Sequence, residues 1–280
     1  MNTPIKKPKI VGILNITDDS FYDGGKYIDT ESAIKHAISM LEDGADVIDI
    51  GAESTRPGAD PVDEDTEIAR IIPVIVALKK RAPDCTVSVD TYKPQTAQKV
   101  LIAGADIIND IYALTYTDTK VGERQQLKHQ IQHFLDFPQA KIVLMHCKGT
   151  PQDMQDNPQY ENVVLEIIEF FKQRIDYCVE NGIAKDRIII DPGIGFGKTA
   201  LHNITILQNL DKFTMLNLPT MIGASRKSFI NHISPSKPDE RIGATLATTA
   251  MAYLKNIDYI RVHDVREHRQ MIDTLFAMGI

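Results

Sequence analysis

Short apolar, β-branched runs recur along this chain, and each is followed by a longer stretch of helical period. The runs are KIVGIL (9–14), DVIDI (46–50), TVSVD (86–90), DIIN (106–109), KIVLM (141–145), RIIID (187–191), TMIG (220–223) and YIRV (259–262). Between them lie amphipathic stretches such as TESAIKHAISMLEDG, which places Ala33, Ile34, Ala37, Ile38 and Leu41 on one face and stops at Gly44. That stripe has the 3.6-residue period of a helix with a glycine terminator. PQTAQKVLIAG (94–104) opens on proline and closes on glycine, and YENVVLEIIEFFKQRIDYCVENG (160–182) is the longest of the set. Strands alternating with helices require a parallel sheet with crossover connections. Eight such units within 280 residues predict an α/β fold, a single-domain (β/α)8 TIM barrel over 1–280. A doubly wound open sheet is the alternative, but the turn after its first strand carries G-x-G-x-x-G, and the turn here reads NITDDSFYDGG. The polar segment 115–139 is read as a fourth helix with an extended approach.

Composition excludes several classes. A formal net charge of −7 and no long basic run argue against a nucleic-acid partner. No stretch of eighteen apolar residues predicts a membrane span, and the N-terminal MNTPIKKPKI lacks the apolar run of a signal peptide. Three widely spaced cysteines suit neither a disulfide framework nor a zinc site, and reduced cytoplasm is the expected compartment. The loop DPGIGFGKT (191–199) imitates a phosphate loop, but only three residues separate Gly193 from Gly197 where four are needed. Neither HExxH, CxxC nor a Gly-x-Ser-x-Gly elbow occurs.

A barrel of this kind carries its chemistry where the strands end at their C-terminal face. The polar residues there are Asn15; Glu53, Ser54, Thr55 and Arg56; Asp90; Asn109 and Asp110; His146; Asp191; Ser225, Arg226 and Lys227; and Arg261, His263 and Asp264. Any one of them alone is a turn former, a helix cap or a satisfied structural donor. As a set they deliver a polar group from every strand to one rim. Asp90, Asn109 and Asp191 suit a planar heterocycle bearing N–H and amino groups, because a carboxylate accepts two parallel N–H bonds from an amidine-like edge. Arg56, Lys227, Arg261 and His263 suit a phosphate or diphosphate. Asp18, Asp19 and Asp23 crowd the loop beside Asn15, and oxygen ligands without His or Cys suit Mg2+ held together with substrate phosphates.

GILNITDDSFYDGG, DIGAESTRPGA, SVDTYKP, NDI, VLMHCKG, DPGIGFGKT, GASRKSF and RVHDV, in this order from about residue 10 to 266, resemble the signature set of the dihydropteroate synthases. The resemblance implies a pterin-binding barrel that condenses 6-hydroxymethyl-7,8-dihydropterin diphosphate with p-aminobenzoate, by departure of diphosphate and then attack of the arylamine. It implies that Asp90, Asn109, Asp191 and Lys227 hold the pterin, with Met145 against its ring. Asn15 would sit on Mg2+ and diphosphate, and Arg56, Arg261 and His263 on the diphosphate. Thr55, Pro57, Phe196 and Ser225 would shape the aminobenzoate pocket. Among these, Asp90, Asp191, Lys227, Arg56 and His263 carry the catalytic assignment. A homodimer through the later outer helices is implied in the same way. Lys198 is expected to be solvated or structural. Two departures stand out: Thr17-Asp18-Asp19 where the family commonly has Thr-Pro-Asp, and GAEST for the commoner GGEST. The alternative readings are a pterin-binding methyltransferase barrel and a non-catalytic pterin-binding paralogue.

Overall fold

The computed structural model describes residues 6–16, 30–54, 60–116, 123–150 and 152–280. Among these, eight strands alternate with helices as the apolar runs predict. They are β1 (Lys9–Asn15), α1 (Thr30–Glu42), β2 (Val47–Gly51), α2 (Glu64–Arg81), β3 (Thr86–Asp90), α3 (Pro94–Ile102), β4 (Ile107–Asp110), α4 (Glu123–Asp136), β5 (Lys141–Met145), α5 (Val163–Glu180), β6 (Ile188–Asp191), α6 (Ala200–Gln208), α7 (Leu210–Thr214), β7 (Met221–Ile222), α8 (Phe229–Ile233), α9 (Ile242–Leu254), β8 (Tyr259–Val262) and α10 (Val265–Ala277). The strands pair in the order β6-β5-β4-β3-β2-β1-β8-β7, all parallel. A bridge between Ile190 and Thr220 closes the ring, with the Ile190 amide donating to the Pro219 carbonyl at 3.0 Å. The expected barrel is therefore present. TMIG is its weakest stave, because only Met221 and Ile222 pair with β8. The expected fourth helix is α4.

Side chains alternate across each strand. Outward residues such as Ile10, Ile48, Val87, Ile108, Ile142, Ile188 and Ile260 pack into one core beneath the helices. Inward residues Val11, Val47, Ile107, Val143, Ile189, Met221 and Tyr259 form a second, separate cluster that fills the barrel's lower interior. One inward step up, Asp49 on β2, Asn109 on β4, Asp191 on β6 and Arg261 on β8 bring polar groups into the barrel. The register sets Asn15 opposite Gly51, Gly51 opposite Asp90, Asp90 opposite Asn109, and Met145 opposite Asp191. Parallel order and matched register thus level the polar residues along one rim.

The helices are shaped to match. Asp63 caps α2 by accepting from the Thr66 amide at 2.9 Å. Acids Glu64, Asp65 and Glu67 in its first turn and Lys79, Lys80 and Arg81 in its last complement the helix dipole. No described helix is long and apolar enough to cross a membrane.

Candidate active site

A cleft of about 300 Å3 opens at the C-terminal end of the barrel, lined by Asp90, Asn109, Met145, Asp191, Phe196, Lys227 and Arg261 together with Ile111, Gly193, Ile194 and Gly223. Seven residues placed at strand ends or in strand-end loops from the sequence therefore meet in one site. Asn15 flanks it: a Cβ placed on Gly51 would lie 3.5 Å from the Asp90 Cβ and 3.8 Å from Asn15 Oδ1. Thr55, Arg56 and Pro57, and the acids Asp18, Asp19 and Asp23, lie outside the described residues.

Arg261 organises the floor. Its Nε donates to Asp49 Oδ2 at 2.6 Å and its Nη2 to Asp90 Oδ2 at 2.8 Å. Burial works against this charge, but Asp49 and Asp90 more than offset it and hold the guanidinium above the ordinary arginine pKa. Two of the nitrogens expected to meet an anion are thus already committed to carboxylates. Asp49 is the residue that strand-end reading missed. It is 0 % exposed, receives the Asn109 amide at 3.3 Å and has no partner for Oδ1 among the described residues, as is true of Asn109 Oδ1. An acid between Ile48 and Ile50, inside the apolar stretch VIDI, was the available signal, because a carboxylate buried without a partner is costly.

Asp191 accepts from the Gly193 amide at 2.8 Å. Burial raises its pKa to about 6, against the pull of that amide and of Lys227. Burial likewise raises Asp90, with Arg261 opposing. Lys227 is lowered to about 8 by burial and then by Arg261. Its ammonium stands 4.1 Å from the centre of the Phe196 ring and has no hydrogen-bond or ion-pair partner among the described residues. The site thus holds carboxylates and an ammonium that burial pushes toward neutrality, ready for a ligand that restores their partners.

The glycine-rich loop is explained by what lies behind it. A Cβ on Gly193 would fall 2.0 Å from the His146 carbonyl oxygen, and one on Gly197 would fall 2.1 Å from that of Lys148. Both glycines have positive φ, 69° and 63°. The loop after β6 is pressed flat on the loop after β5, and Lys198 rivets them together. Its ammonium reaches His146 Nδ1 (3.0 Å), the His146 carbonyl (3.2 Å) and the Phe196 carbonyl (2.8 Å). At 2 % exposed, Lys198 is structural and not solvated. Burial, then Lys198, drive the His146 pKa down to about 2. His146 therefore belongs to the rivet and is not among the cleft's lining residues. Gly193→Ala combines a left-handed backbone with a clash against backbone, each worth about 1–2 kcal/mol. It is expected to cost about 3 kcal/mol in a denaturant melt and to abolish ligand binding; an unchanged melting midpoint contradicts this packing.

The loop after β2 is anchored at its foot. Glu53 accepts from the Val62 amide (2.9 Å), the Tyr92 hydroxyl (2.9 Å) and Lys93 (2.5 Å), and Glu67 lies 3.2 Å from the same lysine. At the last strands, His263 meets Ser225 through a 2.9 Å contact at Nδ1, and Arg226 pairs with Asp264.

The sequence profile described as "Pterin binding enzyme" matches residues 11–263. The dihydropteroate synthase of Escherichia coli K12 is 40% identical over 263 residues, which span 94% of this chain and 89% of the relative. This chain belongs to the dihydropteroate synthase family. Solved members superpose closely. The Yersinia pestis synthase in a sulfonamide drug complex has a TM-score of 0.87 at 38% identity, over 97% of this chain and 94% of that one. The Xanthomonas albilineans synthase with 4-aminobenzoic acid has a TM-score of 0.87 at 35% identity, over 98% and 94%. These relatives are synthases, which favours the first sequence reading over the methyltransferase barrel. The chain is a transferase of this family, and its cleft occupies the end of the barrel where the motifs converge.

Proposed function

We propose that this mouth joins 6-hydroxymethyl-7,8-dihydropterin diphosphate to p-aminobenzoate, giving 7,8-dihydropteroate and diphosphate. The observation that carries the reading is the convergence of Asp90, Asp191, Asn109 and Lys227 on one cleft, with the acceptor Asn109 Oδ1 buried and without a partner among the described residues. A flat pterin fits that inventory. Its amidine-type edge donates to the Asp191 carboxylate, and further ring N–H groups face Asp90 and Asn109. Lys227 donates to the ring's acceptors, and Met145 packs on its face. Phe196, beside the Lys227 ammonium, would form one wall of the p-aminobenzoate site, to which the family resemblance also assigns Thr55 and Pro57. The 4-aminobenzoic acid bound by the Xanthomonas relative supports p-aminobenzoate as the second substrate.

Diphosphate then falls to Arg56, His263 and the Arg261 nitrogen that Asp49 and Asp90 leave over. The bond from the methylene carbon to the diphosphate oxygen breaks, and its electron pair leaves on oxygen. The electron-rich dihydropterin spreads the resulting positive charge, which the buried carboxylates Asp90 and Asp191 favour. The arylamine nitrogen closes the new C–N bond and loses one proton, so no covalent enzyme intermediate is needed.

Mg2+ is the proposed cofactor. Asn15 offers a hard, neutral oxygen beside Asp90. Among the described residues no cluster of three His, Cys, Asp or Glu could hold a metal by itself. The proposed ion is carried mainly by diphosphate and water, with Asn15 as one protein ligand. Such an ion would neutralise charge on the leaving group. A homodimer is proposed through the outer helices α6, α8 and α9, where Leu201 (69 %), Ile233 (63 %) and Leu254 (46 %) are exposed. The three cysteines are free, in keeping with a cytoplasmic setting.

Purified protein with both substrates and Mg2+ is expected to release one diphosphate per dihydropteroate formed, and no release above blank by folded protein would favour a pterin-binding paralogue. A pH dependence follows from the two shifted groups. Pterin binding needs Asp191 as a carboxylate and Lys227 as an ammonium. Affinity should therefore fall below about pH 6, as Asp191 takes up its proton, and again above about pH 8, as Lys227 loses its own. Fluorescence titration with 6-hydroxymethylpterin between these limits reads the bell, and a flat profile contradicts both assignments.

A further inference from the structure

We infer that Ser225 is a positioning residue for His263: its hydroxyl fixes the imidazole as the Nε2–H tautomer and so decides which ring nitrogen can donate to the departing anion. The donors and acceptors around the serine hydroxyl decide the tautomer. Ser225 is 4 % exposed, in the segment between β7 and α8. Its Oγ lies 2.9 Å from His263 Nδ1 and 3.3 Å from the backbone nitrogen of His263. That backbone N–H can only donate, so it occupies a lone pair of the hydroxyl. Were Nδ1 protonated, the hydroxyl would accept twice, and its own hydrogen would have no acceptor among the described residues. Buried donors are paired in folded proteins. The hydroxyl therefore donates to Nδ1, and the ring proton is left on Nε2.

The backbone around this contact is held from several sides. Arg226 adopts a φ of 58°. Its guanidinium grips both oxygens of Asp264, with Nε to Oδ2 at 3.0 Å. Its amide donates to Thr245 Oγ1 at 3.2 Å, and its carbonyl accepts from Arg241 at 2.8 Å. Two side-chain pairs, Ser225 with His263 and Arg226 with Asp264, thus clasp the segment after β7 to the end of β8. Burial, then Arg261 and Arg226, hold the His263 pKa down to about 3, so the ring is neutral in the working range. It acts as a directed N–H, while the positive charge at the leaving group comes from the arginines. The serine hydroxyl that family resemblance gives to aminobenzoate is here turned toward His263.

This rests on His263 being the leaving-group donor, and the test separates the two claims. A 15N long-range correlation spectrum of the labelled protein reads the tautomer directly, with the His263 signals assigned by their loss in His263→Gln. The expected result is a protonated Nε2 and a bare Nδ1. Ser225→Ala should give mixed tautomers and lower kcat about tenfold, the rate equivalent of one hydrogen bond, while leaving the KM for p-aminobenzoate unchanged. A protonated Nδ1 in the wild type overturns the inference. So does Ser225→Ala with an unaltered tautomer, or with a raised KM and an unaltered kcat, which would make Ser225 an arylamine contact. If the tautomer is as expected but His263→Gln turns over normally, the tautomer assignment stands and the leaving-group role of His263 fails.

Discussion

Asp191→Asn is expected to lower kcat/KM by about 10²–10⁴-fold while leaving the folded protein as stable as before, or more so. The loss follows from two charge-assisted hydrogen bonds to the pterin edge, each worth about 1.5–3 kcal/mol. The stability half follows from burial. Asp191 is 4 % exposed, and its pKa stands at about 6 in the fold against an ordinary 3.8. A carboxyl whose folded pKa is raised favours the fold at low pH, and that contribution is lost as pH rises through about 6. A rise of this size corresponds to about 3 kcal/mol. Asparagine keeps an oxygen for the Gly193 amide and removes the buried charge. The variant should match the wild type in melts near pH 4 and equal or exceed it near pH 8. Turnover at the wild-type rate, or a variant that melts far lower at pH 8, contradicts the assignment.

Arg261→Met is expected to cost about 3–5 kcal/mol of folding stability, because it leaves Asp49 and Asp90 buried beside one another without their shared cation. That is a fall of roughly 10 °C in melting temperature for a chain of this size. Arg261→Lys should rescue little, because a single ammonium cannot fork between two carboxylates. Asp49→Asn placed on top of Arg261→Met should recover part of the loss, which a double-mutant cycle measures. Additive losses in that cycle would show that the pair is not coupled.

These two residues also mark how far the sequence could be read. Asp191 was legible because alternation and parallel order oblige a strand's last inward residue to face the rim. Asp90, Asn109 and Met145 were legible for the same reason, and the register levels them as expected, while Lys227 was legible from its place in the segment after β7. Asp49 was not. It lies one inward step below the rim, and its partner Arg261 is 212 residues away. Strand-end reading names the residues at the mouth but not the layer that holds their charges. For Lys198 the sequence left solvated and structural roles both open, and the fold decides for the structural one: the loop lies flat on its neighbour and buries the lysine between two carbonyls and an imidazole. The Ser225–His263 contact spans 38 residues and the whole crossover from β7 to β8, which no local pattern encodes.

The most direct measurement is a crystal structure of the protein soaked with 6-hydroxymethylpterin. The account predicts the ring in the cleft between Met145 and Lys227, with its amidine edge within about 3 Å of both Asp191 oxygens and a ring N–H on Asn109 Oδ1. A ring bound elsewhere on the barrel, or seated in the cleft with Asp191 turned away from it, would contradict the account at its root.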